Sequence, residues 1–333
     1  MGFREFVHKK PNCVKRYLRQ TWADPICFVW VLVFVLLSIC ILPCSAIAHD
    51  VIRLGYPHSQ LDRRHEYNHT VLIKALDETV ETHGSYHLEK DLPATQRQRS
   101  LMELIRGRNI NVHIVPTQKE WEEKTIPVRI PILKGLLSYR IFLINKSKQI
   151  NFTEVQSLDD LKTLNAGLRQ QWSTTQVLQF HGFGITTSSS YEGLFRMLNL
   201  NRFDYFPRGI NEIFQEFDSR QKTLTQITIE SSMALYLPMP TYIFVSPRNP
   251  EIAQRIETGL MKIIKDGRFD KLFYDYHGAY IERANLANRK IYSVDNPFLS
   301  SQTPFNKKDL WFTPMDNRLG NNLCTDTFPM EPN

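Results

Sequence analysis

Apolar and polar positions along the chain divide it into short strands and amphipathic helices. Residues 51–56 read as a first strand, ended by Pro57. Val71, Leu72, Ala75, Leu76 and Val80 recur at helical spacing within 67–80, and Thr82-His83-Gly84 closes that helix. A second strand follows at 86–89. A second helix at 94–106 carries Leu101, Met102, Leu104 and Ile105 inward and stops at Gly107; a third strand follows at 110–115. The order β-α-β-α-β implies a parallel α/β layer.

After a Pro-interrupted apolar run at 128–133, residues 135–144 read as one long strand. A second α/β unit begins at Ser157-Leu158-Asp159-Asp160-Leu161, a helix cap and first turn. Short strands are expected at 166–168 and 185–187, and helices at 172–180 and 191–198. Then comes Asn201-Arg202-Phe203-Asp204-Tyr205-Phe206-Pro207-Arg208-Gly209, which reads as a helix exit and a short buried strand that ends in a Pro-Gly turn. A helix at 210–217 and a strand at 224–229 follow. Pro238 and Pro240 make 235–245 a crossing segment at a sheet edge. A helix pair is predicted over 250–276, broken at Asp266-Gly267. The remainder reads as loop, with Leu310-Trp311-Phe312 as an apolar hook onto the body. Long strands near Tyr139–Leu143 and Tyr242–Val245 would join the two units into a bilobal, hinged body.

The 333 residues are 42% hydrophobic and 23% charged, enough for substantial cores in a globular body. The formal charge of +7 is uneven. Before residue 49, Arg4, Lys9, Lys10, Lys15, Arg16 and Arg19 oppose only Glu5 and Asp24. The basic balance is therefore weak support for nucleic-acid binding, and no RNP, finger or basic-helix pattern adds to it. From Pro25 to Ala48 there is no charged residue, and the run ends in Ala46-Ile47-Ala48. A basic start, an apolar stretch and an A-x-A site make a secretory signal spanning 1–48. The same stretch is also long enough to remain as an uncleaved anchor. Cys13, Cys27, Cys40 and Cys44 all lie in this leader, so the mature chain keeps only Cys324 and has no internal disulfide.

Arg208 emerges beyond the carboxyl end of its strand, where open α/β sheets bind ligands. The spacing leaves it either facing a ligand cleft or lying as a surface Arg beside a core strand. Arg140 and Arg208 could each grip a carboxylate or phosphate; a hinge salt bridge is the other reading of Arg140. Trp172-Ser173-Thr174 opens a helix whose free N–H groups favour an anion, or Ser173 simply caps it. Tyr56, Tyr67 and Trp121 could stack on a ligand or belong to core and rim, and Glu212 could meet a cationic group or face solvent. His58, His65 and His69 lack a Cys or carboxylate partner for a metal site. No nucleophile elbow, H-E-x-x-H or phosphate loop occurs. No catalysis, metal or cofactor is expected.

Residues 252–260, Ile-Ala-Gln-Arg-Ile-Glu-Thr-Gly-Leu, followed by Ile264-Lys265-Asp266-Gly267-Arg268-Phe269-Asp270-Lys271-Leu272-Phe273, resemble the C-terminal signature of bacterial periplasmic solute-binding proteins of the polar amino-acid type (family 3). Ser157–Leu161 also fits, and the Arg202–Gly209 stretch is similar to a gammaproteobacterial branch of that family. The resemblance implies the two-lobed type II periplasmic-binding fold, with a first lobe at 49–140 and 241–280, a second at 141–240, and 281–333 as an extension. It also implies a periplasmic monomer that captures a small ligand in the cleft and presents it to an inner-membrane ABC permease or a sensor. Family members usually carry Thr-x-x-Arg after the third strand to clamp a ligand carboxylate, which makes Thr117 a candidate, but Glu120 stands in the Arg position. Where they place an Asp for the ligand ammonium, this chain has Arg208-Gly209. A standard α-amino acid is therefore a poor fit, and an acidic or uncharged ligand a better one.

Overall fold

A computed structural model describes residues 49–55, 64–89 and 97–314. The leader, Tyr56, His58 and Cys324 lie outside the described residues, as does the side chain of His65. No helix among the described residues is long and apolar enough to cross a membrane.

The first sheet holds β1 (Asp50–Gly55), β2 (Tyr86–Glu89), β3 (Val112–Pro116), β4 (Ile126–Val128) and β11 (Thr241–Val245), in the order β2-β1-β3-β11-β4. β1, β2 and β3 are parallel, and β11 runs antiparallel to β3 and β4. Its helices are α1 (Arg64–Asp77), α2 (Val80–His83), α3 (Arg97–Arg106), α4 (Lys119–Lys124), α10 (Pro250–Lys265) and α11 (Arg268–Ala284). Gly267, at φ 81°, turns the chain between the last two. α10 meets α1 so closely that a Cβ on Gly259 would lie 1.8 Å from the Ala75 carbonyl oxygen.

The second sheet contains β5 (Tyr139–Asn145), β6 (Asn165–Arg169), β7 (Gly184–Ser188), β8 (Tyr205–Gly209), β9 (Ile227–Ile229), β10 (Met233–Tyr236) and β12 (Lys290–Ser293). Its order is β12-β10-β5-β8-β6-β7, with β9 also pairing β5. The associated helices are α5 (Gln149–Thr153), α6 (Leu158–Lys162), α7 (Ser173–Phe180), α8 (Tyr191–Asn199) and α9 (Ile210–Asp218). Ser157 caps α6 as the sequence indicates, and Asp160 completes a reciprocal capping box with it. Two sheets linked by two crossings constitute the mixed α/β architecture of the type II periplasmic-binding fold.

The crossings are residues 129–138 and 237–240, so the strands expected to form the hinge lie inside the sheets. β10 and β11 are interior strands rather than edges, because Pro238 and Pro240 fall between them and cost no ladder hydrogen bond. The expected long strand at 135–144 opens instead with a 3-10 turn, Leu136–Ser138, because Lys134 (φ 47°) and Gly135 (φ 70°) are left-handed. The crossings are tied together by Leu237 N–H to Ser138 O (2.9 Å), Met239 N–H to Ser138 Oγ (2.9 Å) and Ile132 N–H to Thr241 O (3.0 Å).

The C-terminal residues are less loop-like than the pattern suggests. β12 extends the second sheet parallel to β10. The chain then returns along both crossings: Asn296 Nδ2 donates to Pro238 O (2.8 Å), and the Phe312 amide donates to Lys134 O (2.6 Å). Leu310, Trp311 and Phe312 are buried.

Candidate functional site

The strand directions locate the cleft. In the first sheet the carboxyl ends of β1 to β4 share an edge with the start of β11; in the second, the start of β5 shares an edge with the ends of β6, β7, β8, β10 and β12. One crossing runs from the end of β4 to the start of β5, the other from the end of β10 to the start of β11. Both therefore join these two edges, which face each other. This is the side on which α/β sheets bind ligands.

On the second-lobe edge, Arg208 is buried and locked in place. Its Nε donates to Glu216 Oε2 at 2.7 Å and its Nη2 to Glu216 Oε1 at 2.6 Å, while Glu212 Oε2 lies 3.0 Å from Nη2. The guanidinium covers the rings of Trp172 (4.7 Å) and Phe206 (5.0 Å), which stack on each other. Tyr191 donates its hydroxyl to Glu216 Oε1 at 2.5 Å. Burial opposes the charge of Arg208, but Glu212 and Glu216 outweigh it and push its pKa up. The residue is thus not a surface Arg, and most of its donors are occupied by the return of α9 over β8. Glu212 is buried too, and accepts the Gly209 amide at 3.1 Å.

Arg140 lies opposite Gly209 in the β5–β8 ladder and is 3% exposed. No described carboxylate pairs with it, and its Nε has no hydrogen-bond partner. The hinge salt bridge considered for it does not form among the described residues. Burial, with Arg208 nearby, brings its pKa down to about 10 against the pull of Glu212 and Glu216, so it remains charged at neutral pH. At the start of α7 the N-cap is Trp172, not Ser173. The Ser173 hydroxyl is buried and unpartnered, and Thr174 is buried too.

On the first-lobe edge, Thr117 donates its hydroxyl to Glu122 Oε1 at 2.6 Å, and Glu122 also pairs with Arg129 at 3.1 Å. Trp121 is 1% exposed, within a small apolar cluster with Leu101, Leu104, Ile110, Tyr242 and Phe244, and Arg97 covers its ring at 5.3 Å. Tyr67 is equally buried, and its hydroxyl donates to Ile132 O of the first crossing at 2.7 Å. The structure therefore brings Arg140, Trp172, Ser173, Arg208 and Glu212 together, sets Thr117 on the opposing edge, and packs Tyr67 and Trp121 into apolar surroundings.

Other residues on these edges carried no distinguishing sequence signal. The Arg129 Nε, Thr241 Oγ1 and Asn211 Oδ1 atoms are buried without partners. The Thr303 hydroxyl, from the C-terminal return, lies against that of Tyr242. Arg129 and Thr241 border Pro-containing connections, which marks the end of a strand but not the direction of a side chain. His69 belongs to no metal-ligating group, since none occurs among the described residues.

No protein-family profile and no curated protein matches the chain. Among solved structures, an ancestral arginine-binding protein bound to arginine is 16% identical with a TM-score of 0.48, covering 68% of this chain and 98% of that one. A Salmonella typhimurium periplasmic binding protein described as highly arginine-specific is 13% identical, TM-score 0.47, covering 68% and 99%. The GluR0 ligand-binding core from Nostoc punctiforme in complex with L-glutamate is 13% identical, TM-score 0.43, covering 63% and 90%. These values describe a distant likeness of chain path, and the site is read from its own geometry.

Proposed function

We propose that the chain is an exported solute-binding protein that captures a small polar ligand between its two lobes, without catalysis, and presents it to a membrane partner such as an ABC permease. The observation that carries the reading is a set of buried polar atoms without partners on both facing edges. Arg129 Nε and Thr241 Oγ1 lie on the first lobe; Arg140 Nε, Ser173 Oγ and Asn211 Oδ1 lie on the second. A buried polar group without a partner costs about 1–3 kcal/mol, so several of them on these two edges call for something that satisfies them. A small solute held by groups from both edges would do so. Trp172, Ser173, Thr174, Arg208 and Glu212 form the second-lobe wall of the proposed site and Thr117 part of the first; Tyr67 and Trp121 contribute to its frame, and Tyr56 is a candidate from the sequence alone. The closer resemblance to a gammaproteobacterial branch rests on the Arg202–Gly209 stretch.

A thermal-shift screen of organic acids, amino acids, sugars and short peptides tests this reading. The expected result is a solute that stabilises the protein and is recovered unchanged after incubation. Conversion of that solute would replace the binding reading with an enzymatic one. A second reading, a membrane-held sensory receptor, is favoured by one feature, the charge-free run from Pro25 to Ala48. N-terminal sequencing separates the two: a chain starting near His49 is a released binding protein, whereas an intact Met1 in the membrane fraction is an anchored one.

A further inference from the structure

Four cationic residues are buried among the described residues: Lys134, Arg140, Arg208 and Arg255. Three are paired. Lys134 reaches Asp270 at 2.7 Å, Arg208 reaches Glu216 at 2.6 Å, and Arg255 reaches Asp50 at 2.7 Å. Arg97, on the first lobe, is also committed, through Nε to Gln118 Oε1 and Nη2 to Pro116 O. Arg140 alone of the four has no such pair among the described residues.

Removing a guanidinium from water without a counter-charge is expensive, and proteins keep such a group where something else offsets it. Arg140, Arg208, Glu212 and Glu216 carry two charges of each sign, but both carboxylates make their direct contacts with Arg208 and the Gly209 amide. Glu212 and Glu216 help Arg140 only at a distance. Two unpartnered atoms, Asn211 Oδ1 and Ser173 Oγ, stand on the same edge. Gly209 lies opposite Arg140, and a Cβ there would meet Leu137 Cδ1 at 2.6 Å, Asn211 Oδ1 at 2.8 Å and Glu212 Oε2 at 3.4 Å, so Asn211 packs close to the strand end only because residue 209 has no side chain.

We propose that Arg140 is the anion receptor of the cleft and that the ligand is a small organic acid. Its carboxylate pairs with the Arg140 fork, and its remaining polar groups meet Asn211 and Ser173. This proposal rests on the solute-binding reading. It places the acid-binding guanidinium on the second lobe, whereas Glu120 occupies the first-lobe position. Arg208 becomes a positioning group that holds Trp172 and α9 beside the site.

The test compares wild type with Arg140→Met. Thermal shift and calorimetry use succinate, glutarate, lactate and inorganic phosphate, with succinamide and glycerol as neutral controls at matched ionic strength. In wild type, at least one organic acid should raise the Tm by about 3 °C or more at saturating concentration. Arg140→Met should weaken that acid at least about tenfold. Without ligand the variant should still melt in one cooperative transition, so that lost affinity is separable from lost folding. An acid-induced shift that survives in Arg140→Met overturns the assignment, as does a ligand-free variant that no longer melts cooperatively, which would make Arg140 a structural charge. Stabilisation by phosphate alone overturns the organic-acid class. A neutral stabiliser, in the absence of any acid effect, overturns the anion proposal but keeps solute binding. If no probe stabilises wild type, the proposal fails for acids, and the wider solute screen then decides the solute-binding reading by itself.

Discussion

Arg208 and Glu216 form a fully buried, two-pronged ion pair, with Nε and Nη2 each donating to one carboxylate oxygen at 2.7 and 2.6 Å. The pair joins the end of β8 to the second turn of α9, so Arg208 supports the fold as well as the cleft. Arg208→Ala strands Glu216 and Glu212 in the interior and should cost about 3–5 kcal/mol. The double change Arg208→Met with Glu216→Leu removes both charges and should cost less than the single one. Urea unfolding of the two variants checks this; a single variant within about 1 kcal/mol of wild type would show that the pair carries little.

The Phe312 side chain lies between Tyr139 of the second lobe, at 5.8 Å, and Phe273 of the first, at 6.2 Å, while its amide holds the Lys134 carbonyl. Phe312→Ala removes the aromatic contact at the junction of the lobes and should cost about 3–5 kcal/mol. Amide exchange should accelerate at 129–138 and 237–240 before it changes in β6 or β7. Uniform acceleration across the protein would mean that the return segment does not act locally on the crossings.

Much of this arrangement is visible in the sequence, and the parts that are not have a common cause. Strand and helix positions follow local periodicity, so 86–89 and 191–198 emerge close to their observed limits. The capping box at Ser157 and Asp160 is equally local. What periodicity cannot show is where a side chain finds its partner. Arg208 is read as free because nothing beside it in the sequence is acidic; Glu212 and Glu216, four and eight residues on, become neighbours only when α9 folds back. That spacing is the one available hint, since both glutamates share a helix face with the start of α9. The strand character of 290–293 and the path of 294–312 along the crossings depend on contacts with residues about 60 to 180 positions earlier. Lys134 at positive φ has no sequence signal beyond its neighbour Gly135, so by pattern alone the 3-10 turn looks like strand.

Helix α10 depends on Gly259 in a different way. A Cβ there would fall 1.8 Å from the Ala75 carbonyl oxygen and 2.8 Å from its Cα, so the obstacle is backbone and no side chain can rotate away. Gly259→Ala must separate α10 from α1, despite the better helix propensity of Ala. A loss of at least about 2 kcal/mol is expected from overpacking. A melting temperature equal to that of wild type would mean that the two helices part at no cost.

His277 supplies the pH dependence. It is buried against Tyr67 at 4.5 Å and Phe273 at 5.3 Å, and neither ring nitrogen has a hydrogen-bond partner. Burial lowers its pKa to about 4, from 6.5 in an exposed imidazole. Above pH 6.5 the ring is neutral in both folded and unfolded chains and contributes no slope. Between pH 6.5 and 4 the unfolded chain binds a proton that the folded protein refuses, so stability falls as pH falls. The loss should reach about 3 kcal/mol near pH 4 and then level off, since below that value both forms are protonated. His277→Phe keeps a ring of similar size in the same apolar surroundings and abolishes the titration. Urea midpoints measured between pH 4 and 7 should therefore slope less steeply in His277→Phe than in wild type. Identical slopes would assign the acid sensitivity to other groups.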